Sequence, residues 1–331
     1  MHERIGNETM LISVAIPCYR AENNLEKVVA EICAAFARRE EFDYQIILVC
    51  DGSPDRTDDV IRKLCAADDK IVGVLLSRNF TQTNAKMAAL QYVRGEVLVF
   101  MDDDGQHPPE DIFKLVGKVL EGFDVVYAHF GHKEQSLFKI WTSDLFGKIA
   151  EKMGTRPLGI KTSSFLAYSR FAVEHLKAHA SPSPAPGGYL FSLTTRIANV
   201  ESTQRKRASG TSGYNLAKLV SLAVTNLTNF TIVPLRMIDM LGAVSAIAGL
   251  LYGFVLVFRK LFCSTVVPGY TSNMVVLLIL GGLILIALGL VGEYVGRIYI
   301  LLSNKPQYVI REVLNANPKE NASNGIAQQH E

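Results

Sequence analysis

Two stretches without a single charged side chain, Met240 to Phe258 and Leu261 to Gly292, constrain this chain more than anything else in it. A helix rises about 1.5 Å per residue, so about 20 apolar residues cross the ~30 Å hydrocarbon core of a bilayer. The second stretch exceeds one span. Pro268, Gly269, Thr271, Ser272 and Asn273 mark a turn inside it, leaving Met274 to about Val291 as a second helix. Helices in a soluble core carry a polar stripe, and these carry none. The pattern predicts a transmembrane hairpin over residues 237–300, preceded by interfacial helices over 216–236 and followed by a tail over 301–331, disordered after Asn315.

Two spans return the chain to the side it started from. Arg205, Lys206, Arg207, Lys218, Arg236, Arg297, Lys305 and Arg311 gather on that side, against Arg259 and Lys260 at the turn. The excess of basic residues puts the large N-terminal domain and the tail in the cytoplasm, as parts of a multi-pass protein of the cell (inner) membrane. No signal-peptide pattern precedes the domain. Thirty-four Lys and Arg against 32 Asp and Glu give a net charge of +2, which offers no bulk attraction for nucleic acid. Five widely spread cysteines form no C-x-x-C pair, so neither a disulfide framework nor a structural zinc site is expected.

The N-terminal domain alternates short apolar runs with helix-length segments. Strands are expected at Leu11–Pro17, Gln45–Cys50, Ile71–Leu76, Val97–Met101 and Asp124–Ala128, and helices at Asn24–Arg39, Asp58–Ala66, Thr83–Val93 and Pro109–Leu120. Strands that are apolar on both faces belong to a parallel sheet covered on both sides, and such sheets bind ligands beyond the carboxyl ends of their strands. Three polar clusters follow the first, second and fourth strands: Pro17 to Glu22, Asp51 to Thr57, and Asp102-Asp103-Asp104-Gly105-Gln106. Three consecutive carboxylates repel one another, and a divalent cation resolves the conflict. On an extended segment Asp102 and Asp104 point one way and Asp103 the other, which gives two hard oxygen ligands for Mg²⁺ or Mn²⁺. A metal held by few protein ligands also grips phosphates, implying a nucleoside diphosphate. The bland alternative is a solvated acidic turn that caps the helix at Pro108, and His107 reads as a solvated or capping side chain. Neither a P-loop nor G-x-G-x-x-G after the first strand is present, which argues against a triphosphatase or a dehydrogenase.

Ile16-Pro17-Cys18-Tyr19, Asp51 to Thr57, Ser77-Arg78-Asn79-Phe80, Asp102 to Glu110, Gly210 to Tyr214 and Gly292 to Tyr299 together resemble the family 2 glycosyltransferases in order and spacing. The likeness is to their polyprenyl-phosphate branch, which includes dolichol-phosphate mannose synthase and the bacterial undecaprenyl-phosphate glucosyl and formamido-arabinosyl transferases. It implies an α/β GT-A domain over residues 1–215, Rossmann-like with a mostly parallel sheet. The implied reaction moves a sugar from a nucleotide sugar, a UDP-sugar above all, to polyprenyl phosphate with inversion, in a membrane-bound homo-oligomer. On this resemblance Asp102, Asp104 and Gln106 bind the metal, with Asp102 and Asp104 the catalytic pair. Pro17, Tyr19, Glu22, Asp51 and Arg78 hold the nucleotide, and Arg205, Arg207 and Ser212 take the acceptor phosphate. The basic run at 205–207 fits an anionic headgroup independently. The chain departs from the family pattern at Ala21, Cys50, Thr81 and Ile160, where Glu, an acidic residue, Gly and Asp are usual. Two rivals follow: a processive polysaccharide synthase, whose Gln-x-x-Arg-Trp motif this chain lacks, and a catalytically silent scaffold that binds nucleotide sugar.

Overall fold

Side chains of a strand point alternately to its two faces, so a strand apolar at every position must be covered on both. β3 (Ile71–Leu76) and β4 (Val97–Phe100) are of this kind, and β1 (Met10–Cys18) and β2 (Phe42–Cys50) nearly so, broken by Ser13 in the first and by Asp43 and Gln45 in the second. In the computed structural model, which describes residues 9–130, 157, 159–179, 181, 184–203, 205, 233–262, 269–303 and 305–316, they form the centre of one sheet. Ile12, Val14 and Ile16 of β1 and Ile46 and Leu48 of β2 pack under α1 (Leu25–Phe36), α2 (Thr57–Ala67) and α4 (Ile112–Leu120). Ala15, Ile47 and Val49 point the other way, into a core shared with α3 (Gln82–Leu90) and α5 (Arg170–Lys177).

β5 (Val125–Phe130), β6 (Leu166–Ser169), β7 (Ile197–Ser202) and β8 (Ile310–Leu314) complete an eight-stranded sheet of order β7-β5-β6-β4-β1-β2-β3-β8. β1, β2, β3 and β4 pair in parallel, as do β5 and β7; β6 runs antiparallel to β4 and β5, and β8 antiparallel to β3. A further helix, α6 (Pro186–Leu193), precedes β7. The mostly parallel α/β sheet agrees with the sequence reading, which nevertheless did not foresee β6, β7 or β8.

β8 lies in the stretch read as a tail. Its ladder with β3 joins Gly73 to Leu314 and Leu76 to Ile310. Beyond it, Ser77 N–H donates to the Val309 carbonyl at 2.9 Å, and Arg62 grips Glu312 through two bonds of 2.6 Å. Asn315, in the left-handed region at φ 58°, shares its side-chain amide among the carbonyls of Cys65 (2.5 Å), Ile71 (3.0 Å) and Asp68 (3.3 Å). These include carbonyls of the last turn of α2 and just beyond it, which lack helical partners. Asn315→Ala removes the donor and the residue type best suited to that φ after glycine. It is expected to cost about 1–2 kcal/mol, read as a lowered thermal midpoint of the full chain in detergent.

The chain divides into two units, residues 1–213 with 305–331, and residues 214–304. In the second unit the expected hairpin helices are both helical, as α7 (Val233–Phe262) and α8 (Tyr270–Leu302). Among the described residues one segment, Leu280–Leu302 of α8, is long and apolar enough to cross a membrane, and none of it is buried. A helix in a soluble core would hide this surface: Leu285 and Leu302 are 71% and 74% exposed. Residues 216–232 of the segment expected to be interfacial, with Arg207 and Ser212 before it, lie outside the described residues, and its last four, 233–236, are the first turn of α7.

Candidate active site

The carboxyl ends of β1, β2 and β4 bring the three polar clusters onto one edge, and backbone donors do much of the joining. Four successive N–H groups after β1 each meet a side-chain oxygen: Tyr19 to Asp103 Oδ2 (3.0 Å), Arg20 to Ser53 Oγ (2.8 Å), Ala21 to Thr57 Oγ1 (2.9 Å) and Glu22 to Asp55 Oδ2 (3.3 Å). Glu22 in turn accepts from Arg56 N–H at 3.0 Å. The loop is thereby tied to the other two clusters. Burial alone would raise the Asp55 carboxyl, but bonds from Ser53, Thr57 and Glu22 hold it below the ordinary carboxylate value.

Asp51 is 3% exposed, and its Oδ1 accepts from Phe80 N–H at 2.6 Å. Burial raises its carboxyl, against the lowering effect of the Phe80 and Thr81 amides. Asp51 therefore anchors the segment after β3 that carries Arg78, whose guanidinium sits 4.4 Å from the centre of the Phe80 ring. Two backbone features shape this junction. Gly52 has φ 58°, and a Cβ there would stand 2.3 Å from the Arg78 carbonyl carbon and 2.5 Å from Asn79 N. Thr81, at the position where the resemblance puts a glycine, has φ 89° and ψ 150°. That region is essentially reserved for glycine and costs a branched residue about 1–3 kcal/mol. Thr81→Gly is expected to stabilise the protein by about 1 kcal/mol after the extra entropy glycine loses on folding, seen as a raised thermal midpoint.

β4 ends at Phe100 and the chain turns at Asp103 and Asp104, with Gly105 at φ 71°. The strand alternation assumed from sequence thus stops short of the carboxylates, and the turn sets their roles. Asp103 holds the Tyr19 amide. Burial, with repulsion from Asp102 and Asp104, lifts its carboxyl to about 6, although the Tyr19 N–H favours the ionised form. Asp104 Oδ1 accepts from Gln106 N–H at 3.1 Å. Asp102 is held from three elements: Gln82 Nε2 at the start of α3 donates to Oδ1 at 2.8 Å, Ser164 Oγ before β6 donates to Oδ2 at 2.6 Å, and its own N–H donates to His107 Nδ1 at 3.1 Å.

His107 corrects one half of its sequence reading, the solvated one, and leaves the capping one standing, since its ring accepts a backbone N–H. It is 3% exposed rather than solvated, and stacks on Phe165 at 4.8 Å and Phe130 at 5.8 Å. Accepting the Asp102 amide leaves the neutral ring's proton on Nε2, which lies 3.8 Å from Asp102 Oδ2. Gln82, Ser164 and His107 are the site residues that sequence reasoning missed. His107 adjoins the acidic motif, but its burial depends on aromatic residues distant in sequence.

The segment leaving β7 joins the same edge. Arg205 N–H donates to the Gln106 carbonyl at 3.0 Å, and Gln106 Nε2 donates to the Arg205 carbonyl at 3.3 Å. The Arg205 guanidinium faces acidic side chains, 2.6 Å from Glu31 and 3.3 Å from Glu110. Of the residues predicted to hold the acceptor phosphate, Arg205 alone is described. The structure thus brings together Pro17, Tyr19, Glu22, Asp51, Arg78, Asp102, Asp104, Gln106 and Arg205 on one sheet edge and its loops.

The donors available for a metal are hard oxygens of Asp102, Asp104 and Gln106, which suit Mg²⁺ or Mn²⁺. The bonds to Asp102 come from a neutral amide and a hydroxyl, so its charge is undiminished by them. Among the described residues no three His, Cys, Asp or Glu side chains cluster as a metal site. A cation here would draw on two carboxylates, the Gln106 amide oxygen and oxygens from outside the chain.

Comparison with known proteins matches residues 13–177 to the model of glycosyl transferase family 2, and residues 233–298 to that of the GtrB C-terminal hairpin. An undecaprenyl-phosphate 4-deoxy-4-formamido-L-arabinose transferase of Shewanella sediminis is 31% identical over 315 residues, 92% of each chain. The bactoprenol glucosyl transferase of Shigella phage SfII is also 31% identical, over 93% of this chain and all of its own. Among solved structures, glucosyl-3-phosphoglycerate synthase from Mycobacterium tuberculosis, in complex with Mn²⁺ and uridine diphosphate, aligns with 65% of this chain and 75% of its own at a TM-score of 0.48 and 20% identity. With relatives of this identity spanning nearly its whole length, the chain belongs to glycosyl transferase family 2.

Proposed function

We propose that this protein transfers a sugar from a nucleotide sugar, a UDP-sugar foremost, to the phosphate of polyprenyl phosphate at the cytoplasmic face of the cell membrane. The observation that carries the reading is the meeting of three polar loops, tied by the Tyr19–Asp103 and Ala21–Thr57 bonds, with a fourth segment that joins Gln106 at Arg205, two residues before Arg207 in the sequence. The relatives named for undecaprenyl phosphate and bactoprenol support this acceptor class.

A phosphate monoester has its second pKa near ~6, so the acceptor is already an anion at neutral pH. No strong base is needed. An acceptor oxygen attacks the anomeric carbon, the bond from that carbon to the diphosphate breaks, and the products are a polyprenyl-phosphate sugar of inverted configuration and a nucleoside diphosphate. A bound Mg²⁺ or Mn²⁺ would neutralise the departing diphosphate. Asp102, Asp104 and Gln106 would hold it; the loop from Pro17 to Glu22, Asp51 and Arg78 would orient the nucleotide. Arg207 and Ser212 would place the acceptor phosphate. Positioning and electrostatics supply the rate.

The reading includes two membrane spans, α7 and α8, preceded in the chain by the catalytic domain (1–215) and the interfacial stretch (216–236) and followed by the C-terminal segment (301–331), with domain and C-terminal segment on the same, cytoplasmic side. The pairing of β8 with β3 supports it. Strands on both sides of the helical segment belong to one sheet, so any crossings between them must be even in number; if α8 crosses, a second helix crosses too.

The test uses membranes containing the protein, undecaprenyl phosphate and a panel of radiolabelled nucleotide sugars, with Mg²⁺, Mn²⁺ or chelator, beside Asp104→Asn. Metal-dependent label in the organic phase, lost in the variant, is the expected result. Absence of product from every donor, with nucleotide sugar still bound equally by both proteins, would favour the silent scaffold.

A further inference from the structure

Asp102 has a charged neighbour that the transfer reaction as described does not use. α3 presents Gln82 and Lys86, four residues apart and hence on one helix face, toward the end of β4. Gln82 bonds Asp102 directly at 2.8 Å. Lys86 Nζ donates to the Ser164 carbonyl at 3.3 Å and lies 5.2 Å from the centre of the Phe100 ring, two residues before Asp102. Ser164 closes the circuit, since its hydroxyl donates to Asp102 Oδ2 at 2.6 Å while its carbonyl accepts from Lys86. An ammonium taken out of water needs compensation, and one carbonyl with one ring face is partial compensation for three N–H donors.

We propose that Lys86 is a built-in cation of the acidic centre, a positioning residue whose charge offsets that of Asp102 and so weakens the hold of Asp102, Asp104 and Gln106 on a divalent cation until a donor diphosphate arrives. Burial draws the Lys86 ammonium below the ordinary lysine value and the Asp102 carboxylate pushes it back up, in keeping with the two charges sensing each other. The consequence is a centre with less net negative charge than its three consecutive aspartates imply. Metal and nucleotide would then bind together rather than the metal alone, because the diphosphate brings back the negative charge that Lys86 has offset. The inference rests on the metal-site reading above, and its test separates the two.

Two measurements on the full chain in detergent decide it. In the first, Mn²⁺ is titrated by electron paramagnetic resonance without nucleotide. Lys86→Met, which keeps the length and drops the charge, is expected to bind Mn²⁺ about tenfold more tightly, the effect of one nearby screened charge. Lys86→Arg is expected to bind as the wild type does. A merely structural lysine would not produce this pattern, and equal affinities for wild type and Lys86→Met overturn the proposal. In the second, thermal midpoints in chelator are compared for Lys86→Met, Asp102→Asn and the double variant. If the charges are coupled, Lys86→Met is less harmful, or more favourable, in the Asp102→Asn background than in the wild type; strict additivity overturns the proposal. Should neither wild type nor Lys86→Met bind Mn²⁺, the metal reading fails and takes the effect on metal affinity with it, whereas the thermal cycle still reports whether Lys86 and Asp102 are coupled.

Discussion

Asp102→Asn is expected to lower kcat/KM for sugar transfer by about 10²–10³-fold, the scale of losing one preorganised electrostatic group at a reacting centre, with the fold intact. The substitution keeps the shape of the side chain. Its Oδ1 still accepts from Gln82, and the Ser164 hydroxyl, which now donates at 2.6 Å, can rotate to accept from the new amide. The backbone bond from residue 102 to His107 is untouched. What is lost is a negative charge at the carboxyl end of β4. A parallel assay of transfer and of thermal midpoint checks this: activity should collapse while the midpoint moves by only a few degrees, the lost attraction to Lys86 being offset by relief of repulsion with Asp103. A variant that keeps wild-type kcat/KM would remove Asp102 from the chemistry.

The second large effect concerns a residue that touches no substrate. Gly52→Ala is expected to destabilise the protein by about 2–4 kcal/mol and to weaken donor binding with it. An L-residue at φ 58° costs about 1–2 kcal/mol, and the added Cβ would stand 2.3 Å from the Arg78 carbonyl carbon and 2.7 Å from Arg78 Cα. Those are backbone atoms, so no rotamer change relieves the overlap. Residues 78–80 would have to move, but Asp51 holds Phe80 N–H at 2.6 Å, so the strain passes into the loop predicted to grip the nucleotide. Gly117 is the control. It lies within α4 and a Cβ there meets nothing within 4 Å, so Gly117→Ala should be neutral or stabilising by up to about 1 kcal/mol. Comparing nucleotide affinity and thermal midpoint for the two variants separates the effect of this one junction from a general intolerance of alanine.

Much of the central sheet was legible because β1 to β5 are nearly continuous apolar runs, which a two-sided sheet requires. β6 was not: it has four residues, and its antiparallel place between β4 and β5 is set by tertiary pairing alone. β8 was hidden by Arg311 and Glu312, both exposed or half-exposed as befits an edge strand, which disguise it as solvated tail. At the site, the rule that ligands sit beyond strand ends picks out Asp51 and Asp102 to Gln106 from the sequence alone. It could not reveal that Asp103 serves the loop after β1 by holding Tyr19 N–H, nor that Asp102 is braced by Gln82 and Ser164, because those contacts join α3 and the segment before β6 to a turn far away in sequence. His107 shows the same limit. Its polarity suggested solvent, whereas its stacking on Phe165 places it in the interior behind the acidic turn.

The measurement that tests the central claim most directly is a double-label transfer. A nucleotide sugar carrying ¹⁴C in the sugar and ³²P in the phosphate next to it is incubated with the protein and undecaprenyl phosphate, and the phases are separated. Transfer of the sugar alone predicts ¹⁴C in the organic phase and ³²P left in water as nucleoside diphosphate. Both labels in the lipid would mean that a sugar phosphate is transferred and would contradict the account.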